Sequence, residues 1–188
     1  MKKMAVIDND FLNHLVELNN RKDAFELIET FFGALEYKVV MHPLVFKYEK
    51  SPISNNLMEK LFNEQLICVP ELSEIWTNLP TGQIYYNAMV KQIYYEFTGN
   101  PYPCSDVCGD WKKQESLGEI HSAAMCASLN YDVFLSDDNA AVRYLSKAVE
   151  TAAQKTLIVY NRQQCCDILK EAGLLNHKIL NIISHKKK

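Results

Sequence analysis

Carboxylates recur along this 188-residue chain just beyond short apolar runs, and that placement suggests where its chemistry lies. Asp8 closes Met4-Ala5-Val6-Ile7, and Glu49 follows Val39-Val40-Met41. Glu119 opens the alanine-rich stretch Gly118–Ala127, and Asp137 and Asp138 close Val133-Phe134-Leu135-Ser136. In an open parallel α/β sheet the C-terminal strand ends share one edge, and ligands bind there. Carboxylates carried to that edge repel one another and need protons or a cation to coexist. Oxygen donors of this kind suit hard divalent ions. The expectation is a Mg2+ or Mn2+ site acting on phosphate esters, built on Asp8, Glu119 and Asp138 with Asp137 beside them and Glu49 completing the set. Each residue also has an ordinary use. Asp8 could cap a helix over Asn9–Asn19, Glu119 could sit at a helix N-terminus favoured by the dipole, and Glu49 and Asp137 could be solvated surface charges. His121, two residues after Glu119, is either an acid–base group or a structural histidine.

Such a site requires strands that end together. Met4–Asp8, Lys38–Met41, Asp132–Ser136 and Thr156–Tyr160 are short and continuously apolar, as buried parallel strands are. Leu66–Val69 is a fifth candidate within otherwise helical territory. Between them lie helical stripes: Phe11 to Leu18, Phe25 to Leu35 with Gly33 weakening the end, Leu57 to Phe62, and Ile120 to Ser128. A helix capped by Asp138 spans Asn139–Ala153, and another follows the last strand and stops at Gly173. This alternation gives an α/β class with a central, mostly parallel sheet flanked by helices. Length fits a single domain over residues 1–188, with 52–115 as a helical insertion. There Gln83-Ile84-Tyr85-Tyr86 recurs as Gln92-Ile93-Tyr94-Tyr95, an offset of about half a turn in register on a helix. Tyr86, Val90, Ile93 and Phe97 share a core face, while Tyr85 and Tyr94 face elsewhere, either half-buried over the core or free to stack on bases or dock a protein.

Composition narrows the partners. The chain is 48% hydrophobic and 23% charged, which is ordinary for a globular protein. It has no apolar run of about 18 residues, so no membrane span is expected. The N-terminus meets Asp8 and Asp10 before a signal-peptide core can form, so a cytoplasmic protein is expected. A net charge of −3 argues against a broad basic surface for duplex DNA. The basic residues Lys178 and Lys186–Lys188 could touch a phosphate backbone or simply be solvated. The six cysteines are expected as reduced thiols; Cys104 and Cys108 have zinc-like spacing but no matching second pair.

Taken in order, these motifs resemble the PIN domains, most of which are metal-dependent ribonucleases and many of which are toxins of bacterial toxin–antitoxin pairs. The first motif matches Val6-Ile7-Asp8-Asn9-Asp10-Phe11-Leu12, with Asn9 where a small hydroxyl residue is usual. The second matches Val45-Phe46-Lys47-Tyr48-Glu49, with Glu36 a weaker substitute. The third matches Gly118-Glu119, and the fourth Ser136-Asp137-Asp138. Glu119 and Asp138 are nineteen positions apart, room for a helix, a turn and a strand. The resemblance covers residues 4–49 and 116–176. It implies a three-layer PIN-like fold and a metal-dependent endoribonuclease in which Asp8, Glu49, Glu119 and Asp138 are catalytic. Its partners would be RNA, an antitoxin protein and a second copy of the chain. Two other readings stay open. One is a catalytically inactive PIN-like module that binds RNA or protein. The other is a haloacid-dehalogenase-type phosphatase, suggested by Asp8-Asn9-Asp10 and Asp137-Asp138, although the other motifs of that family are missing.

Overall fold

A computed structural model of the chain describes residues 3–49, 56–77, 79–109 and 116–184. The apolar runs form β1 (Lys3–Ile7), β2 (Tyr37–Met41), β3 (Ile67–Cys68), β4 (Val133–Leu135) and β5 (Ile158–Tyr160). They make one sheet in the order β3-β2-β1-β4-β5, with every pairing parallel. Ala5, Ile7, Val39, Met41, Val133 and Leu135 face one apolar layer. Val6, Val40, Phe134 and Val159 face the other. A sheet buried on both faces has no solvated side to show polar residues, which is why its strands read as unbroken apolar runs.

Helices cover both faces. On the first lie α1 (Asn9–Val16), α2 (Ala24–Ala34) and α3 (Pro43–Tyr48), then α4 (Asn56–Asn63). On the second are α5 (Leu72–Trp76), α6 (Gln83–Thr98), α7 (Leu117–Leu129) and α8 (Ser146–Ala153). The chain then returns to the first face with α9 (Arg162–Glu171) and α10 (His177–Ser184). This is the expected three-layer α/β arrangement, with a sheet that is wholly rather than mostly parallel.

The fifth strand candidate, Leu66–Val69, is real but shorter: β3 pairs with β2 at the sheet edge. Residues 56–109 therefore do more than decorate the fold, because α6 also buries Tyr86, Met89, Val90 and Ile93 in the second layer. Burying each such side chain contributes about 1.5–3 kcal/mol, so α6 is part of the core. Tyr94 is half-buried, covering the core rather than offering a free contact face: its ring packs edge-on against Tyr102 at 5.2 Å. Ile84, Tyr85 and Tyr95 are the exposed apolar residues of that helix. Gly33 lies within α2, and the left-handed residue that ends the helix is Glu36 (φ 59°). A further helix not expected from the pattern, α10, inserts Leu180 and Ile183 into the first layer. Lys186–Lys188 and Asp110–Trp111 lie outside the described residues.

The strand order decides where a ligand can bind. From β1 the chain steps outward through β2 to β3, then crosses to the other side of β1 for β4 and β5. The connections leaving the C-terminal ends of β1 and β4 diverge to opposite sides, and this switch point is where open α/β sheets hold ligands. Asp8 follows β1 directly, and Ser136-Asp137-Asp138 follows β4.

Candidate functional site

Asp8 and Asp138 stand at equivalent places and share one local geometry. Asp8 is the N-cap of α1: its Oδ1 accepts a hydrogen bond from the Phe11 N–H at 2.8 Å. Asp138 Oδ1 accepts from the Ala141 N–H at 2.7 Å, opening the helix that runs through a π turn (Ala141–Leu145) into α8. In each, the three-residue capping bond uses one oxygen and fixes the carboxylate at the sheet edge. A cap accounts for Oδ1 of Asp8 but not for Oδ2, which is buried and receives no hydrogen bond of normal geometry. Asp8 itself is only 3% exposed. A buried carboxylate oxygen without a donor is costly.

Ser136 joins the two aspartates. Its Oγ accepts the Asp138 N–H at 3.1 Å. Its hydroxyl also lies against Asp8, where it favours the ionised carboxylate. The hydroxyl beside Asp8 thus comes from the end of β4. Burial raises the Asp8 carboxyl well above the ordinary range; Ser136 and the Phe11 N–H oppose the shift, and Glu119 and Asp10 add to it. Burial also raises Glu119, its own backbone N–H opposing, with Asp138 and Asp10 adding repulsion. Glu119 therefore lies within electrostatic reach of Asp8, Asp10 and Asp138, and Asp8 within reach of Asp10. Asp10, exposed in the first turn of α1, is a member that the motif comparison did not assign to this cluster.

Glu49 terminates α3, and its carboxylate lies against the Cα of Gly118 in the first turn of α7, beside Glu119 in sequence. Glu36 precedes β2 and so lies at the opposite end of the strands, which removes it as a substitute. Asp137 is committed elsewhere. Its Oδ1 accepts from the Arg162 backbone N–H at 3.0 Å, and its Oδ2 from Arg162 Nε at 2.6 Å and His14 Nδ1 at 2.6 Å. Burial pushes the Asp137 carboxyl up, but Arg162 and His14 outweigh it and hold it below the usual range. Arg162 Nη1 also donates to the Ile183 carbonyl at 2.8 Å, so this buried pair fastens the end of β4 to α1, α9 and α10. Asp137 thereby anchors the turn that presents Asp138.

His121 is not at the acidic edge. It is fully buried, as are His42 and Tyr86. The Leu44 N–H donates to His42 Nδ1 at 3.2 Å, so neutral His42 carries its proton on Nε2. Nε2–H then donates to Tyr86 Oη at 3.0 Å, and the Tyr86 hydroxyl donates to His121 Nδ1 at 2.9 Å. The His121 proton is left on Nε2, and the Val107 carbonyl favours it. Val107 O also accepts from the Tyr102 hydroxyl at 3.0 Å. The order of donors is fixed along the whole chain, which ties α3, α6, α7 and the loop before α7 together.

Burial keeps both histidines neutral: His42 is held well below its ordinary range, with His121 adding to the effect, and His121 is lowered to about 3. A histidine lowered in the folded state stabilises above the unfolded value and loses that contribution as pH falls. The loss begins near pH ~6.5 and reaches about 2 kcal/mol at pH ~5 for His121. The raised carboxylates act oppositely, since their protonation on acidification relieves strain. Comparing the wild type with His121→Asn cancels the carboxylates, which both proteins share. The stability difference should shift by about 2 kcal/mol against the wild type between pH ~7.5 and ~5. Melting curves across that range check it, and a difference independent of pH would show that His121 is not held neutral.

Two concavities lie away from this carboxylate cluster. One of about 290 Å³ is lined by residues including Asn130, Asp132 and Lys155, and another of about 380 Å³ lies between Phe46, Phe62 and Val69. Among the described residues, no three His, Cys, Asp or Glu side chains stand close enough to hold one ion directly. All six cysteines are free thiols, and no described helix is long and apolar enough to cross a membrane. No family model matches the chain, and no curated protein or solved structure matches it significantly.

Proposed function

We propose that this chain is a metal-dependent endoribonuclease of the PIN type, with Asp8, Glu49, Glu119 and Asp138 as its acidic site. The observation that carries the reading is Asp8 Oδ2: buried, without a hydrogen bond of normal geometry, at the β1/β4 switch point and within reach of Glu119 and Asp10, with Asp138 in turn within reach of Glu119. A helix cap needs one oxygen, and for the second the described residues offer only the Ser136 hydroxyl, which does not outweigh burial. A cation would compensate it. The donors are all carboxylate oxygens, which fit Mg2+ or Mn2+ better than zinc. Asp8 and Asp138 would hold the ion, with Glu119 and Glu49 completing its surroundings directly or through water. Bound there, it would supply an activated water and offset charge on a phosphodiester.

The protein's own residues do the positioning. Capping bonds to Phe11 and Ala141 fix one oxygen of each aspartate. Ser136 couples the two turns, and Asp137 with Arg162 anchors the second. RNA is the proposed substrate, and a toxin–antitoxin pair is the biological setting this reading suggests.

Single-stranded RNA incubated with Mn2+ should be cleaved internally, and EDTA should stop the reaction. Cleavage that persists in chelator would sink the mechanism. Hydrolysis of a chromogenic phosphomonoester would favour the phosphatase alternative instead. Mn2+ binding without turnover of any RNA would favour an inactive binding module.

A further inference from the structure

Gly118 lies inside a helix, where glycine costs stability relative to alanine. Its backbone is not left-handed, so no turn requires it. Space does. A Cβ built on Gly118 would come within 2.7 Å of Glu49 Oε1 and 2.8 Å of Glu49 Cδ, nearer still to Oε2. The carboxylate group of Glu49 thus occupies the volume that any side chain at 118 would fill. The first turn of a helix presents free N–H groups and a positive dipole end, which favour a carboxylate placed there. Two further contacts set the depth of this approach. His42 caps α3, which ends at Glu49, and His121 lies one turn along α7 from Gly118. Tyr86 bonds to both histidines, so α3 is fastened to α7 from beneath.

We infer that Gly118 is a positioning residue: its missing side chain seats the Glu49 carboxylate on the first turn of α7, and the His42–Tyr86–His121 chain holds α3 at the distance this requires. Glu49 is the far end of a flexible side chain, so alanine at 118 would displace it with little damage to the fold. The resemblance to PIN domains pairs the glycine with Glu119 as one motif, but the contact that explains it is with Glu49, 69 positions earlier. The consequence for metal binding rests on the function proposed above; the seating itself rests on the packing.

A double-mutant cycle separates the two. In EDTA, melting temperatures are measured for the wild type, Gly118→Ala, Glu49→Ala and the double variant. With Glu49 present, Gly118→Ala should give no gain or a small loss. In the Glu49→Ala background the added methyl meets no carboxylate, and alanine's helix preference should raise the melting temperature by about 2–4 °C. Equal shifts in the two backgrounds overturn the seating. Mn2+ titration by calorimetry follows on the same four proteins. Gly118→Ala and Glu49→Ala should each weaken binding roughly ten-fold, and the double variant no further. Undiminished Mn2+ affinity in Gly118→Ala overturns its positioning role. If the stability coupling holds but the wild type binds no Mn2+, the metal reading falls and the seating stands.

Discussion

Asp8→Asn should melt higher than the wild type without metal and lower than it with metal. Asparagine caps a helix as well as aspartate does, so the bond from the Phe11 N–H survives. The substitution removes a buried charge that Glu119 and Asp10 also oppose. Its amide can donate toward those neighbours where the wild-type Oδ2 receives no hydrogen bond of normal geometry. Each unit by which the Asp8 carboxyl is raised corresponds to about 1.4 kcal/mol. The metal-free variant should therefore gain at least about 2–4 °C. The sign reverses with Mn2+. An ion at one hundred times its dissociation constant stabilises the folded protein by about 2.7 kcal/mol, and the variant should lose most of that. Its RNA cleavage should fall roughly 100-fold or more, because a charge that holds the ion is gone. Melting curves in EDTA and in Mn2+, with a cleavage assay, make the check. A variant that melts lower in EDTA identifies Asp8 as an ordinary stabilising cap. Curves that do not cross on adding Mn2+ remove Asp8 from the metal site.

Arg162→Met should be the most damaging single change at this edge of the sheet. The Arg162 and Asp137 side chains are 3% and 5% exposed, and their closest contact is 2.6 Å. Methionine fills much of the volume but supplies no donor. Asp137 would keep only the Arg162 backbone N–H and His14, and the Ile183 carbonyl would lose its guanidinium donor. Removing one partner of a buried pair typically costs about 3–5 kcal/mol, since the other charge stays behind. For a chain of this size that is a loss of about 6–20 °C. Adding Asp137→Asn to Arg162→Met removes the stranded charge and should restore part of the loss, which distinguishes electrostatics from packing. A single variant that melts within a degree or two of the wild type would show that Asp137 does not depend on Arg162. In that case the anchoring of the Asp138 turn needs another cause.

The sequence by itself determined the layers. Runs such as Met4–Ile7 and Val133–Leu135 are apolar at every position, and only a sheet covered on both faces stabilises such runs. The aspartates after β1 and β4 were legible for the same reason, since a carboxylate directly beyond a buried strand must emerge at its C-terminal edge. Local capping chemistry placed Asp8 and Asp138 at helix starts. Strand order was a different matter. It depends on which side each connection takes, and that choice put β4 beside β1 and brought the two aspartates to one switch point. The apolar run Leu66–Val69 hinted at β3, but its length of two residues and its place at the sheet edge follow from its pairing with β2. Long-range partners were equally hidden. Nothing near Asp137 indicates that Arg162 and His14 will engage its oxygens, and nothing near His121 indicates a tyrosine 35 positions earlier. Gly118 states the contrast most sharply. Its identity is written in the chain, but its reason is the Glu49 carboxylate, which only tertiary packing brings against it. Helix propensity and hydrophobic pattern act between near neighbours and can be read along the chain. Desolvation, charge pairing and close approach act between surfaces that come together only when the layers close.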